Sequence, residues 1–542
     1  MANRERQIRI YDMHSWTGIA LGIMLFVVCF TGSVALFYNE FRNWEDPATR
    51  VEQTDQTIPM QDIFTEWLDE NVQGRDITFA SLNAPGGRDR SYFSGFLNVR
   101  DEEGETEFLS QSWNPATGEP IENTREAGAN RFLYNLHRDL SWPEALGGRT
   151  VGRALVGIVG IAFMLLVLTG IIAHTKITKE LFSLRYLKSV RLKWQDTHKV
   201  FGLWTVPFSS MIAFTGAYLG VIAILAPLIA AITVQGDTEK LVQAIGIGPS
   251  EKAGIEAEMI SVDKALATPH PETGIMPTGV TMENFGDLNA AYTMQYPVDD
   301  RLLFFDQYKI SAVDGRELPL SETLSPNEPL PRILGALTPL HYGTYGGIVL
   351  KIGYFLMGIA LCVMAALGNM MWIERRLHGG EGNKSEKFYR ALSALSTGVC
   401  AGMPAASVVI LHFDKFYWGA EATRYSNVVS IFFIVWLATL IFAWFRGNDY
   451  RAARELLAAT GLGMMALPIS NGLMTGDFLW SAFGTGASGS AWFDLTFLIF
   501  GALICAGAMK IPANRPIDKR RAKKARKASE EPAVDPGLQP AE

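Results

Sequence analysis

An all-α polytopic membrane protein of about eight transmembrane helices, carrying two small α+β domains outside the bilayer, is the fold class this sequence predicts. Three observations predict it. The 542 residues are 48% hydrophobic but only 19% charged, where a soluble domain carries roughly a quarter. Charge is segregated by sign along the chain. And spans one and two, with the loop between them, recur as spans three and four, a four-helix core of two parallel repeats. A soluble globular protein, a disordered chain and a nucleic-acid binder are all disfavoured by this composition.

Eight apolar runs reach the roughly 20 residues of helix that a bilayer needs: 15–38, 151–174, 200–232, 343–372, 391–412, 425–445, 452–472 and 490–509. The first reads as a retained anchor. It is long for a signal peptide, and the bulky, polar Phe37 to Arg42 follows it instead of a small-residue cleavage site. Lysine and arginine mark the cytoplasmic side. They gather at Arg4, Arg6 and Arg9, in the 175–195 loop (Lys176, Lys179, Arg185, Lys188, Arg191, Lys193), and in the tail from Arg515 to Lys527. Residues 39–150 hold 21 acids against 10 bases, and 235–335 hold 16 against 7, in a chain of net charge −7. Both long loops are therefore expected outside the cytoplasm, with both termini inside. The domain plan is then 1–38 (N-terminal segment and first span), 39–150 (first exported domain), 151–232 (spans two and three with a cytoplasmic loop) and 233–342 (second exported domain). Residues 343–375 are the fourth span, 376–510 a four-span extension, and 511–542 a basic tail that turns disordered.

Each exported loop ends in alternating, aromatic-rich runs that predict strands. Ser91–Val99 and Glu107–Ser110 do so in the first, Ala291–Tyr296 and Arg301–Asp306 in the second. Asn114–Glu119 and Val313–Glu317 carry Asn or Asp ahead of Gly, which is turn chemistry. A helix with a hairpin fits both loops.

The repeat is exact in spacing. His14, Gly18, Phe30, Thr31 and Gly32 recur as His198, Gly202, Phe214, Thr215 and Gly216, all at an offset of 184. Gly148, Arg153, Gly160 and Gly170 match Gly346, Lys351, Gly358 and Gly368 at an offset of 198. Leu136-His137 and Leu340-His341 precede the second and fourth spans. Both halves begin inside the cell, so their pseudo-two-fold axis runs along the membrane normal.

A lone histidine at a helix end is ordinarily interfacial. The repeat changes that reading, because it sets His14 opposite His198 and His137 opposite His341 across one axis. Two imidazoles facing each other in a four-helix core are what bis-histidine haem ligation requires. His174 has no mate, since Trp372 stands at its offset. It could replace His14 opposite His198, bond a propionate, or reach the interface. Arg153 and Lys351 are symmetry mates inside spans, where a cation needs an anionic partner. Two haem propionates would serve, as would lipid headgroups. No C-x-x-C-H motif is present, so the expected cofactor is two non-covalently held haem b groups. Few acids or bases fall inside the spans, which disfavours an ion-coupled permease.

The stretch from about residue 8 to 375 resembles the PepSY-associated transmembrane family. The resemblance rests on His14-Ser15-Trp16-Thr17-Gly18, Phe30-Thr31-Gly32, Asp196-x-His198 and the two Leu-His pairs. Ile172-Ala173-His174-Thr175-Lys176, with Phe182 and Arg185 beyond, is similar to the longer members. The exported turns resemble the strand–turn of PepSY domains. Iron-regulated membrane proteins and siderophore-iron reductases belong to this family. The resemblance implies a bacterial inner-membrane protein that passes electrons outward and reduces a ferric siderophore or other iron chelate. A quinol or a separate cytoplasmic reductase would be the donor, because no G-x-G-x-x-G fingerprint sits in a strand–helix context. The lipid bilayer is the other partner; no nucleic acid is expected. A rival reading is a non-catalytic PepSY membrane sensor or assembly factor that binds a protein on the exported side.

Overall fold

The computed structural model describes residues 2–51, 57–85, 91–101, 103–121, 128–174, 181–182, 190–236, 251–297, 306–319, 329–378, 384–483 and 488–514. Most of the basic 175–195 loop, the expected strand residues Arg301–Phe305 and the tail from Arg515 lie outside the described residues.

In chain order the elements begin with α1 (Ala2–Ala35), α2 (Tyr38–Glu45) and α3 (Gln61–Val72). Strands β1 (Asp76–Asn83), β2 (Phe93–Arg100) and β3 (Thr106–Trp113) follow, then α4 (Ala129–Asp139), α5 (Gly148–Ala173), α6 (Val190–Trp204) and α7 (Val206–Thr233). The second loop gives α8 (Val262–Leu266), β4 (Gly279–Glu283), β5 (Ala291–Tyr296) and β6 (Asp306–Ser311). Helices α9 (Pro329–Tyr342) and α10 (Gly347–His378) close the core. Helices α11 (Glu386–Cys400), α12 (Gly402–Lys415), α13 (Glu421–Arg446), α14 (Asp449–Thr475), α15 (Leu479–Ala482) and α16 (Ser488–Lys510) form the extension.

The protein is mostly helical, with one antiparallel sheet domain. Among the described residues seven helices are long and apolar enough to cross a membrane, and an eighth is reached if a bent pair counts as one span. That pair is α6 with α7, which meet at 69°. The break has a local cause. Pro207 cannot donate to the carbonyl one turn back, and its ring crowds that turn. At the break the Thr205 hydroxyl donates to Phe201 O at 2.8 Å, which also accepts the Thr205 backbone N–H at 2.9 Å.

Both loops contribute to a single six-stranded sheet, ordered β3-β2-β1-β4-β5-β6. Two separate modules were the expectation; the strands are joined where β1 pairs with β4, Ala80 opposite Met282 through Asn83 opposite Gly279. Each three-strand piece alone would leave an edge of unpaired backbone groups, and pairing the two edges satisfies both rows. One core serves the whole sheet, with Met60, Phe64, Leu82 and Leu97 from the first loop packed with Val280, Met294 and Ile310 from the second. The expected turns form, with Gly118 and Gly315 both at φ +74°, where a side chain would be strained.

The two loops also cap each other's helices. The Asp263 carboxylate, from α8, accepts from Met60 N at 2.7 Å and Gln61 N at 3.0 Å, at the start of α3. In return Gln61 Oε1 accepts from Val262 N at 2.6 Å. These satisfy donors that a helix start otherwise leaves open. Asp263→Ala is expected to destabilise the sheet domain by about 1 kcal/mol, read as a lower thermal midpoint in the full-length chain. An unchanged midpoint would show the cap to be dispensable.

Glycine sets the helix spacing in the membrane core. A Cβ on Gly157 of α5 would lie 2.8 Å from Val221 N, and one on Gly160 2.8 Å from Ala217 N, so α5 and α7 touch backbone to backbone. On the other side of the core Gly358 of α10 receives the Ser33 hydroxyl of α1. The extension packs against the core through Phe26, Trp44, Phe132 and Phe432.

Candidate functional site: two histidine pairs at opposite ends of the helix core

Helix α1 supplies an anchor at two levels. His14 lies in its first half, and the carbonyl of Val28, which receives His137, lies 14 residues on, roughly 21 Å along the axis. The two histidine pairs are therefore well separated in depth.

The first pair is His14 of α1 and His198 of α6, with ring centroids 6.3 Å apart and planes at 79°. His14 Nδ1 donates to Leu166 O at 3.1 Å and lies 3.1 Å from Thr169 Oγ1 on α5. His198 Nδ1 donates to Met364 O on α10 at 2.8 Å. The second pair is His137 of α4 and His341 of α9, with centroids 6.0 Å apart and planes at 22°. His137 Nδ1 donates to Val28 O at 2.9 Å. His341 Nδ1 lies 2.9 Å from Thr215 Oγ1 on α7. That hydroxyl gives its own proton to Met211 O at 2.8 Å, so it accepts from the imidazole.

These bonds decide the tautomer. A carbonyl accepts only, so the proton sits on Nδ1 and the lone pair is on Nε2. Metal-ligating histidines almost always donate their other nitrogen in this way, which orients the ring and raises its basicity. Two imidazoles on opposite sides of one metal, at roughly 2 Å from each nitrogen, have centroids roughly 6 Å apart. The separations here are 6.3 and 6.0 Å. No group of three or more histidine, cysteine or acidic side chains gathers for a metal among the described residues. Each histidine pair by itself offers two nitrogen donors.

Glycines make room for the rings. An ideal Cβ on Gly32 would lie 2.7 Å from His137 Cε1, and one on Gly216 3.1 Å from His341 Cε1. At the other level Gly170 faces His14 at 3.4 Å and Gly368 faces His198 at 3.2 Å. These four glycines stand out in the sequence only as repeat markers; their place under the imidazoles needs the folded structure. The supporting Thr169 and Thr215 hydroxyls were missed for the same reason, although Thr215 lies in the repeated Phe-Thr-Gly run.

The other expected site residues divide. Arg153 lines a cavity beside His137 and His341, together with Arg138, Tyr134 and Tyr342. Lys351 is buried and ion-paired with Glu40 at 2.6 Å, so an acid of this chain meets the need its burial creates. His174 caps the end of α5 and lies near enough to His14 and His198 to interact with them electrostatically. His412 uses both ring nitrogens, on Ser470 Oγ at 2.8 Å and Gly463 O at 3.0 Å, a structural role.

Two comparisons place the chain among known proteins. It is 26% identical over 391 residues to the "Uncharacterized protein PA4219" of Pseudomonas aeruginosa, an alignment that covers 69% of this chain and 92% of that one. The family model described as the PepSY-associated TM region matches residues 11–375, which include all five of the helix-end histidines. A match over that much of the chain assigns it: this multi-pass membrane protein belongs to the PepSY-associated TM region family.

Proposed function

We propose that this protein is a dihaem b electron-transfer protein of the bacterial inner membrane that reduces a ferric siderophore or other iron chelate on the exported side. The observation that carries the reading is the pair of imidazole pairs, 6.3 and 6.0 Å apart, each ring held through Nδ1. His14 with His198, and His137 with His341, would hold the two haems in this reading. The core is two parallel repeats within eight spans, both termini are cytoplasmic, and the sheet domain is exported. Haem bound at these positions supplies a one-electron couple whose potential follows from its axial ligands and burial.

The chain's own residues do the rest. The Leu166, Met364 and Val28 carbonyls and the Thr215 hydroxyl fix each ring's plane and keep Nε2 available. Gly32, Gly216, Gly170 and Gly368 let the rings approach the helices. Arg153 and Arg138 bring positive charge to the cavity beside His137 and His341, where a carboxylate-bearing group would be held. In this reading the sheet domain lies on the side where a soluble chelate arrives.

Absorption spectroscopy with pyridine haemochrome quantitation tests the reading. About two non-covalent haem b per chain is the expected result; colourless protein, or colour that resists acid–acetone extraction, refutes it. The axial partner of His198 is resolved by two further variants. His14→Ala is expected to lose the same haem as His198→Ala, and His174→Ala to keep both. The reverse result would make His174 the ligand.

Orientation has its own measurement. Alkaline phosphatase fused at Gly118 or Gly315 should be active, and fused after Lys188 or Lys524 inactive. The opposite pattern would invert the protein and the direction of electron flow.

A further inference from the structure

The extension helices bring an unexpected set of charges into the protein where α2, α4, α12, α13, α14 and α16 meet. Asp414, Lys415, Arg424 and Asp494 are all at most 3% exposed, and Glu45 of α2 is 5% exposed. Most are matched. Lys415 Nζ donates to Trp44 O at 2.5 Å, to Glu45 O at 3.3 Å and to Asn471 Oδ1 at 2.9 Å. Asp494 accepts from Trp44 Nε1 at 2.7 Å and from Asn471 Nδ2 at 3.0 Å. Arg424 bonds Asp414 Oδ1 at 2.9 Å and also Glu421. Arg50 pairs with Asp477 at the edge of the cluster, and Asp46 caps the short turn that follows α2.

One contact does not balance with every acid ionised. Asp414 Oδ2 is buried with no hydrogen-bond donor among these groups. It lies beside the Glu45 carboxyl, with no donor of its own between them. Both close on the same point, since a Cβ on Gly128 would lie 2.7 Å from Glu45 Oε1 and 2.8 Å from Asp414 Oδ2. Two carboxylates have no proton to share and repel; a carboxyl and a carboxylate bond through one. Glu45 Oε1 also accepts from Asn130 N at 2.9 Å, so the pair caps the N-terminus of α4.

We propose that Glu45 and Asp414 are a one-proton site that pins α4, the helix of His137, to the extension. The proton bridges the two carboxyls, Arg424 holds the outer oxygen of Asp414, and Glu45 holds the start of α4. The extension thereby fixes one end of a helix whose other end, seven residues past Asn130, presents an imidazole. Burial, and then the neighbouring Asp414 carboxylate, push the Glu45 carboxyl well above the ordinary carboxylate range. A raised folded-state value means that the pair's stabilisation is complete below the unfolded value of about 4.3. It is lost as pH rises through the folded value.

The test needs no haem measurement, so it stands apart from the electron-transfer reading. Full-length protein in detergent is unfolded thermally across a pH series, and its infrared spectrum is recorded at neutral pH. Wild type is expected to show a protonated-carboxyl band and a midpoint that falls as pH rises. Glu45→Gln replaces the shared proton with an amide donor, so it should lose the band and flatten the pH dependence. Asp414→Asn supplies the same donor from the other side and serves if Glu45→Gln does not fold. A wild type without the band, or a pH profile shared by wild type and either variant, overturns the proposal. So does a midpoint that follows sodium concentration instead of pH, since the pair would then hold a cation.

Discussion

In the proposed dihaem reading, replacing His137 or His341 by alanine is expected to reduce haem from about two per chain to about one, and to abolish chelate reduction. Both effects follow from the same geometry. The two rings face each other at 6.0 Å between centroids, so a haem held between them would lose one of its two protein donors in either variant. The pair at the other end, His14 and His198, is held by different carbonyls, Leu166 O and Met364 O, and should keep its haem. In the proposed direction of flow that haem would stay reducible in membranes, while transfer to a chelate stops. Haem per protein, a redox titration and a ferric-chelate reduction assay read the three consequences. Two normal haems and full reductase activity in both variants would sink the paired-ligand reading, leaving the repeat with an architectural role only.

Gly32→Ala should mimic His137→Ala without changing a histidine. The new methyl would lie 2.7 Å from His137 Cε1 and 2.9 Å from Nδ1, closer than real Cβ contacts come. The ring cannot simply retreat, because Nδ1 is held by Val28 O on the same helix. Either the bond to Val28 breaks or the ring turns, and Nε2 loses its aim. Helix stability cannot account for a loss, since alanine favours a helix over glycine by about 1 kcal/mol. Gly216→Ala, with 3.1 Å to His341, should do less, and Gly170→Ala, with 3.4 Å to His14, least. Membrane abundance by immunoblot separates cofactor loss from misfolding. Equal haem in all three variants would show that the glycines only pack helices.

The histidine pairing was legible in the sequence because a repeat constrains space as well as composition. An equal offset at His14/His198 implies equivalent positions about one axis, and the rings do lie 6.3 Å apart. The cation pair was only half legible. Arg153 lies beside a histidine pair, but its mate Lys351 is answered by Glu40, an acid just past the end of the first apolar run that no sequence spacing links to it. The extension misled in the same way. Its expected fifth span stopped at residue 412, which left Asp414 and Lys415 in a loop. The helix instead continues to Lys415, and that last turn carries both charges into the protein.

Sequence alone determined the long apolar helices, the segregated loops, the turn glycines and the partnership of the histidines. Each depends on local hydropathy, backbone preference or a translational repeat, all of which are properties of neighbouring residues or fixed offsets. Tertiary structure decided the rest. It joined β1 to β4 into one sheet, bent the third span at Thr205, set glycines under imidazoles, and brought Glu45 to Lys415 across 370 residues of chain. The physical reason is common to all four. Unpaired strand edges, buried charges and close-packed rings are satisfied by whichever groups the fold brings near, and that proximity is not written in any local pattern.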